Sequence, residues 1–106
     1  MISLPASKYL QVTSPAKQGL IDIGNYTKKT WGIKRKQQYM GQLRQCFDAL
    51  CQSPSLGKVY ASIDDSLYAY FCQKHVVFYR LTQEKLRIIR VLHQNMDIET
   101  QLLRIK

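Results

Sequence analysis

The run His75-Val76-Val77-Phe78-Tyr79-Arg80-Leu81, then Thr82-Gln83-Glu84-Lys85, then Leu86-Arg87-Ile88-Ile89-Arg90-Val91-Leu92 reads as a β-hairpin. Both arms are dense in β-branched and aromatic residues, and four turn-forming residues separate them. A four-residue loop sets Leu81 opposite Leu86 and Arg80 opposite Arg87. Two guanidinium groups facing each other repel, which water tolerates and an anion turns to advantage. Simple alternation puts Arg80 and Arg87 on one face with Val76, Phe78, Ile89 and Val91, and Arg90 on the other. The Ile, Val and Leu content of Leu86–Leu92 predicts a central or doubly covered strand.

Upstream, Leu67–Cys72 is a further strand, linked to the hairpin by Gln73-Lys74. The loop Ser53-Pro54-Ser55-Leu56-Gly57 precedes it. Before that loop the periodicity is helical. Ala16, Leu20, Ile23 and Thr27, with Trp31 closing the stripe, follow Ser14 as N-cap and Pro15 at the first helical position. Gly32 is the stop signal. Met40, Leu43, Phe47 and Leu50 mark a second helix from about Lys34 to Gln52. Two adjacent amphipathic helices joined at a glycine make an antiparallel helical hairpin. Residues 8–13 alternate as a short first strand, and Asp97–Leu103 is a terminal helical turn with Asp97 as its cap. The order β-α-α-β-β-β predicts an α+β fold, with the helical hairpin on one face of a mostly antiparallel sheet and the other face open to solvent or a partner.

With 106 residues the chain is expected to form one domain, able to bury a core without metal or disulfides. Sixteen Lys and Arg against seven Asp and Glu give a net charge of +9, which points to acidic partners. A basic surface without a specific partner is the plainer alternative. Five of the nine residues from Lys28 to Lys36 are basic, at the tip of the helical hairpin. The longest apolar run, Leu67–Cys72, is six residues, against about 20 for a membrane span, so no membrane association is expected. The N-terminal residues carry no apolar stretch of signal-peptide length. Cys46, Cys51 and Cys72 form no C-x-x-C, and with only His75 and His93 they make no zinc spacing. They are expected to be free thiols in a reducing cytoplasm. No cofactor or metal is expected. An enzyme reading would use Arg80, Arg87, Arg90 and His93 on a scissile phosphate, with His93 as acid or base.

The stretches Ala16…Leu20…Ile23…Tyr26-Thr27…Trp31-Gly32, Tyr39 with Leu43, Ser53–Gly57, His75–Arg80 and Ile88–Asp97 together resemble the ParE branch of the RelE/ParE superfamily, the toxins of bacterial type II toxin–antitoxin pairs. The resemblance implies the same β-α-α-β-β-β sandwich. It implies a non-catalytic poison of DNA gyrase, neutralised by a ParD-like antitoxin whose C-terminal segment folds as it binds. RelE-like relatives instead cut mRNA on the ribosome. The chain departs from that nuclease pattern: Tyr68 and Tyr70 stand where lysines are usual, Val76 stands where an Arg is usual, and Thr100–Lys106 has neither Tyr nor His. It departs from many ParE relatives too, with Tyr68 in place of an Arg.

On this basis Leu20, Tyr26, Trp31, Tyr39, Tyr79 and Arg80 are expected to bind the antitoxin, and Arg80, Arg90 and His93 the target. The alternative, a ribosome-dependent mRNA endonuclease, would rest on Arg80, Arg87, Arg90 and His93. A non-toxic binding module is the third possibility. No direct sequence-specific DNA binding is expected.

Overall fold

The computed structural model describes residues 8–60, 65–95 and 98–103. Within them the elements are β1 (Tyr9–Val12), α1 (Ser14–Trp31), α2 (Ile33–Gln52), β2 (Lys58–Val59), β3 (Tyr68–Cys72), β4 (His75–Leu81), β5 (Lys85–His93) and α3 (Ile98–Leu103), with a 3-10 turn at Pro54–Leu56. The fold is α+β, as the pattern predicts. The two-residue β2 is an addition, too short to leave a period. Asp97, the expected cap of the last helix, lies outside the described residues.

The sheet order is β1-β5-β4-β3-β2. β1 runs parallel to β5, and every other neighbour is antiparallel. The turn fixes the start of the β4–β5 register, so Arg80 does face Arg87 and Leu81 does face Leu86. A bulge beyond Tyr79 and Ile88 then breaks the alternation, and Phe78 pairs with Arg90. Val91 therefore joins the core beneath the helices with Val77 and Ile88, while Ile89 and Leu92 pack with Val76 and Phe78 on the far face. The expectation that Val91 shares a face with Val76 is corrected by this one extra residue.

α1 is capped by Thr13, not Ser14: the Thr13 hydroxyl accepts from Ala16 N–H at 3.4 Å and donates to Ile88 C=O at 2.9 Å. One side chain thus starts the helix and ties it to β5. Pro15 stays in the first turn, where a missing N–H costs nothing. Gly32, at φ 92°, ends α1 and begins α2, a conformation that favours glycine. Tyr39, Leu43, Phe47 and Leu50 are the buried stripe of α2. They meet Val77, Tyr79, Ile88 and Val91 of the sheet.

Two further corrections concern the cysteines and the far face. Cys46 and Cys72 are joined by a disulfide, which links α2 to β3, and Cys51 is free. The far face is not open. Leu102 of α3, fully buried, closes over Val76, Phe78, Ile89 and Leu92, with Leu67 and Tyr60 beside them.

Candidate functional site

Between α1, the start of α2, the first residues of β4 and the end of β5 lies a groove of about 740 Å³. Gly19 lets α1 come close to its floor: a Cβ there would sit 3.3 Å from Val91 C=O. Ile23, Tyr26 and Trp31 form the helical wall. Tyr39 and His75 lie deeper, and Arg90, Val91 and His93 make the sheet side. Arg35, Lys74 and Arg90 bring three positive charges to the rim against the single carboxylate of Asp22. The lining is therefore apolar and aromatic at its centre and cationic at its edge.

The floor is built round His75. The turn Gln73-Lys74, with Gln73 at φ 57°, aims Lys74 and His75 into the groove. The Tyr39 hydroxyl accepts from Lys74 N–H at 3.2 Å and meets His75 Nδ1 at 2.5 Å. His93 packs its ring edge-on against His75 with centroids 5.2 Å apart. Burial, reinforced by His93, lowers the His75 pKa to about 4. Burial likewise raises that of Tyr39. Both groups are uncharged at neutral pH, so they shape and polarise the groove without adding charge. The Arg35 guanidinium lies 5.9 Å over the Tyr39 ring and donates to Gln38 Oε1 at 2.9 Å.

The residues singled out from the sequence divide into three groups. Tyr26, Trp31, Tyr39, Arg90 and His93 all line the groove, and Leu20 is half-buried against the core beside it. Tyr79 is fully buried, so its expected contact with a partner is withdrawn. Its hydroxyl donates to Pro54 C=O at 2.7 Å and accepts from Gly57 N–H at 3.0 Å, which makes it an anchor of the loop after α2. A Cβ at Gly57 would collide with that hydroxyl at 2.2 Å. Arg80 and Arg87 lie toward the Thr82–Lys85 turn, at the other end of the hairpin from Arg90 and His93. Arg80 donates to Ser66 Oγ at 2.6 Å. Arg87 borders a shallow depression with Gln11 and Glu84. The four-residue phosphate site of the nuclease reading is thus split between two places. Sequence reasoning missed Arg35, Lys74 and His75 as groove residues. The signal for Lys74 and His75 was the two-residue link that ends at them, which forces adjoining side chains to one sheet end.

Among the described residues no group of three or more His, Cys, Asp or Glu is placed to hold a metal ion. Nor is any helix among them long and apolar enough to cross a membrane.

Residues 10–98 match the family described as "ParE toxin of type II toxin-antitoxin system, parDE". The chain belongs to the ParE toxin family. It is 33% identical over 99 residues to the toxin ParE1 of Mycobacterium tuberculosis, covering 92% of this chain and 99% of that one. It is 31% identical to the toxin ParE1 of Caulobacter vibrioides, covering 90% and 98%. Among solved structures, a chromosomal ParDE toxin–antitoxin system of P. aeruginosa shares the ParE fold at a TM-score of 0.72, with 14% identity over 83% of this chain and 97% of that one. The RelBE2 toxin–antitoxin complex of Mycobacterium tuberculosis matches at a TM-score of 0.65, also at 14% identity, over 83% and 99%.

Proposed function

We propose that this ParE-family toxin is a non-catalytic inhibitor of DNA gyrase, silenced when a ParD-like antitoxin occupies the groove along α1. The groove supports the second half of this reading. Its lining offers Ile23, Tyr26, Trp31 and Val91 to an apolar stripe, and Arg35, Lys74 and Arg90 to carboxylates. An amphipathic acidic segment matches both features, and exposed Trp and Tyr at such a surface are the residue types that anchor protein interfaces. The family resemblance supports gyrase as target. The chemistry agrees with inhibition by binding, since His75 and Tyr39, two buried polar groups of the groove, are hydrogen-bonded to each other.

The test is a supercoiling and cleavage assay with purified gyrase and this protein titrated in, with and without ATP. The expected result is accumulation of cleaved, gyrase-linked DNA. A folded protein without effect on gyrase would sink the target assignment. For the antitoxin half, Arg90→Glu is expected to weaken capture by tenfold or more while the fold persists, on the scale of a charge-assisted contact reversed. Wild-type affinity in that variant would remove the groove from the interface.

A second reading, a ribosome-dependent mRNA endonuclease, draws on Arg90 and His93 sharing the groove. It requires His93→Gln to abolish message cleavage with antitoxin binding intact, and unchanged toxicity in that variant counts against it.

A further inference from the structure

We propose that the tip of the helical hairpin is a binding surface for a single-stranded polynucleotide. Lys28 and Lys29 end α1, and Lys34, Arg35 and Lys36 begin α2. Gly32 alone separates the helices, so both sets stand near one tip, with Lys36 laid back along Gly24 and Arg35 over the Tyr39 ring. No Asp or Glu occurs between Asp22 and Asp48, so the sequence supplies these cations with no local counter-charge. Trp31 and Tyr26 lie beside them and are 69% and 68% exposed, with Ile33 also exposed.

These features together select the ligand. Cations alone would fit any polyanion. Two exposed rings among them add flat surfaces on which unpaired bases stack while the lysines follow the phosphates. A duplex keeps its base faces inside, and an acidic polypeptide has no regularly spaced flat rings to offer. Lys28 and Lys29 suit the C-terminal end of α1, but the cations of α2 run against helix stability. The first turn of α2 has three cations, no acid and no side-chain cap, at the end of the helix dipole that favours anions. A tip shaped only for stability would carry the opposite sign there.

The surface does not depend on the gyrase reading, although Tyr26, Trp31 and Arg35 also border the groove. It is therefore tested on the chain alone. Trp31 is the only tryptophan, so its emission reports the tip directly. A mixed-sequence single-stranded DNA of about 12 nucleotides is titrated at several salt concentrations, with the matching duplex and poly-L-glutamate as comparators. The expected result is quenching of Trp31 and a log–log salt slope of about −3, as for four or five neutralised phosphates on a single strand. The duplex is expected to bind about tenfold more weakly for lack of stacking. The variant Lys28→Gln/Lys29→Gln/Lys34→Gln/Lys36→Gln should lose most of the slope. Trp31→Ala should lose about tenfold in affinity, read with a labelled oligonucleotide. Circular dichroism confirms that both variants fold. The proposal is overturned if the single strand shows no salt-dependent binding. It is equally overturned if duplex or poly-L-glutamate binds as tightly, or if the lysine variant keeps the wild-type slope.

Discussion

Beneath the helical hairpin, the sheet is held by mixed means: an apolar core, a disulfide from Cys46 to Cys72, and two tyrosines whose hydroxyls meet buried polar groups. On the opposite face Val76, Phe78, Ile89 and Leu92 meet Leu67 and Leu102 in an apolar cluster, under a helix of six residues. Polar anchors have directions and apolar contacts do not. The face that must present a groove of fixed shape is the one with directional ties. On the far face the apolar cluster around Phe78 contributes stability by filling its volume.

Phe78→Ala should have the largest effect, a loss of about 3–5 kcal/mol, because six residues of α3 cannot collapse into the space of a fully buried ring. Chemical denaturation would measure it, and a loss below about 1 kcal/mol would show that the far face adapts easily. Replacing the bridge, Cys46→Ser with Cys72→Ser, should cost about 2–4 kcal/mol, the usual range for a cross-link of this kind. Its 26-residue separation spans α2 and β3, so the loss should appear first as faster hydrogen exchange in those two elements. Uniform exchange across the molecule would show that the bridge does not act locally. Tyr79→Phe should cost about 1–3 kcal/mol, because Pro54 C=O and Gly57 N–H lose their partner without any change in apolar volume. A neutral outcome would remove the distinction drawn between the two faces.

The smallest effect per step is a dependence on pH. His75 binds its proton at about pH 4 when folded and at 6.5 when exposed, with Tyr39 of α2 and His93 of β5 facing it. The unfolded chain takes up the proton first as pH falls, so the contribution is complete above 6.5 and is lost between 6.5 and about 4. The slope can be no steeper than about 1.4 kcal/mol per pH unit. Thermal melts across that window should show His75→Gln with a flatter profile than the parent chain. Parallel profiles would mean that other groups set the acid limit.

Local pattern made much of this fold legible. The helical hairpin followed from stripes at helical spacing, and the contact of Arg80 with Arg87 followed from the length of one turn. The bulge did not show, because Ile88 and Ile89 are both apolar and an extra residue breaks no visible alternation. The disulfide did not show either: Cys46 lies on a helix and Cys72 on a strand, and their approach depends on how those elements pack. Trp31 fits the apolar stripe of α1 in the sequence, yet the buried part ends at Thr27, and the last turn passes beyond the sheet into solvent. The groove was legible in part. Tyr26, Trp31 and Tyr39 stand on one hairpin and were grouped from it. Arg35, Lys74 and His75 come together only through the crossing of α2 over β4.

The parallel pairing of β1 with β5 has a consequence for synthesis. Tyr9 pairs with Lys85 and Val12 with Ile88, and Thr13 holds β5 at the point where α1 begins. While the ribosome is still making the chain, the helical hairpin can form but its first strand has nothing to pair with. The floor of the groove, from Arg90 to His93, emerges only after the helices and β4. A chain that stops before Lys85 therefore carries the aromatic wall of α1 with no floor beneath it. The finished groove belongs only to chains translated through β5, and an interrupted message yields a fragment whose α1 wall has no sheet behind it.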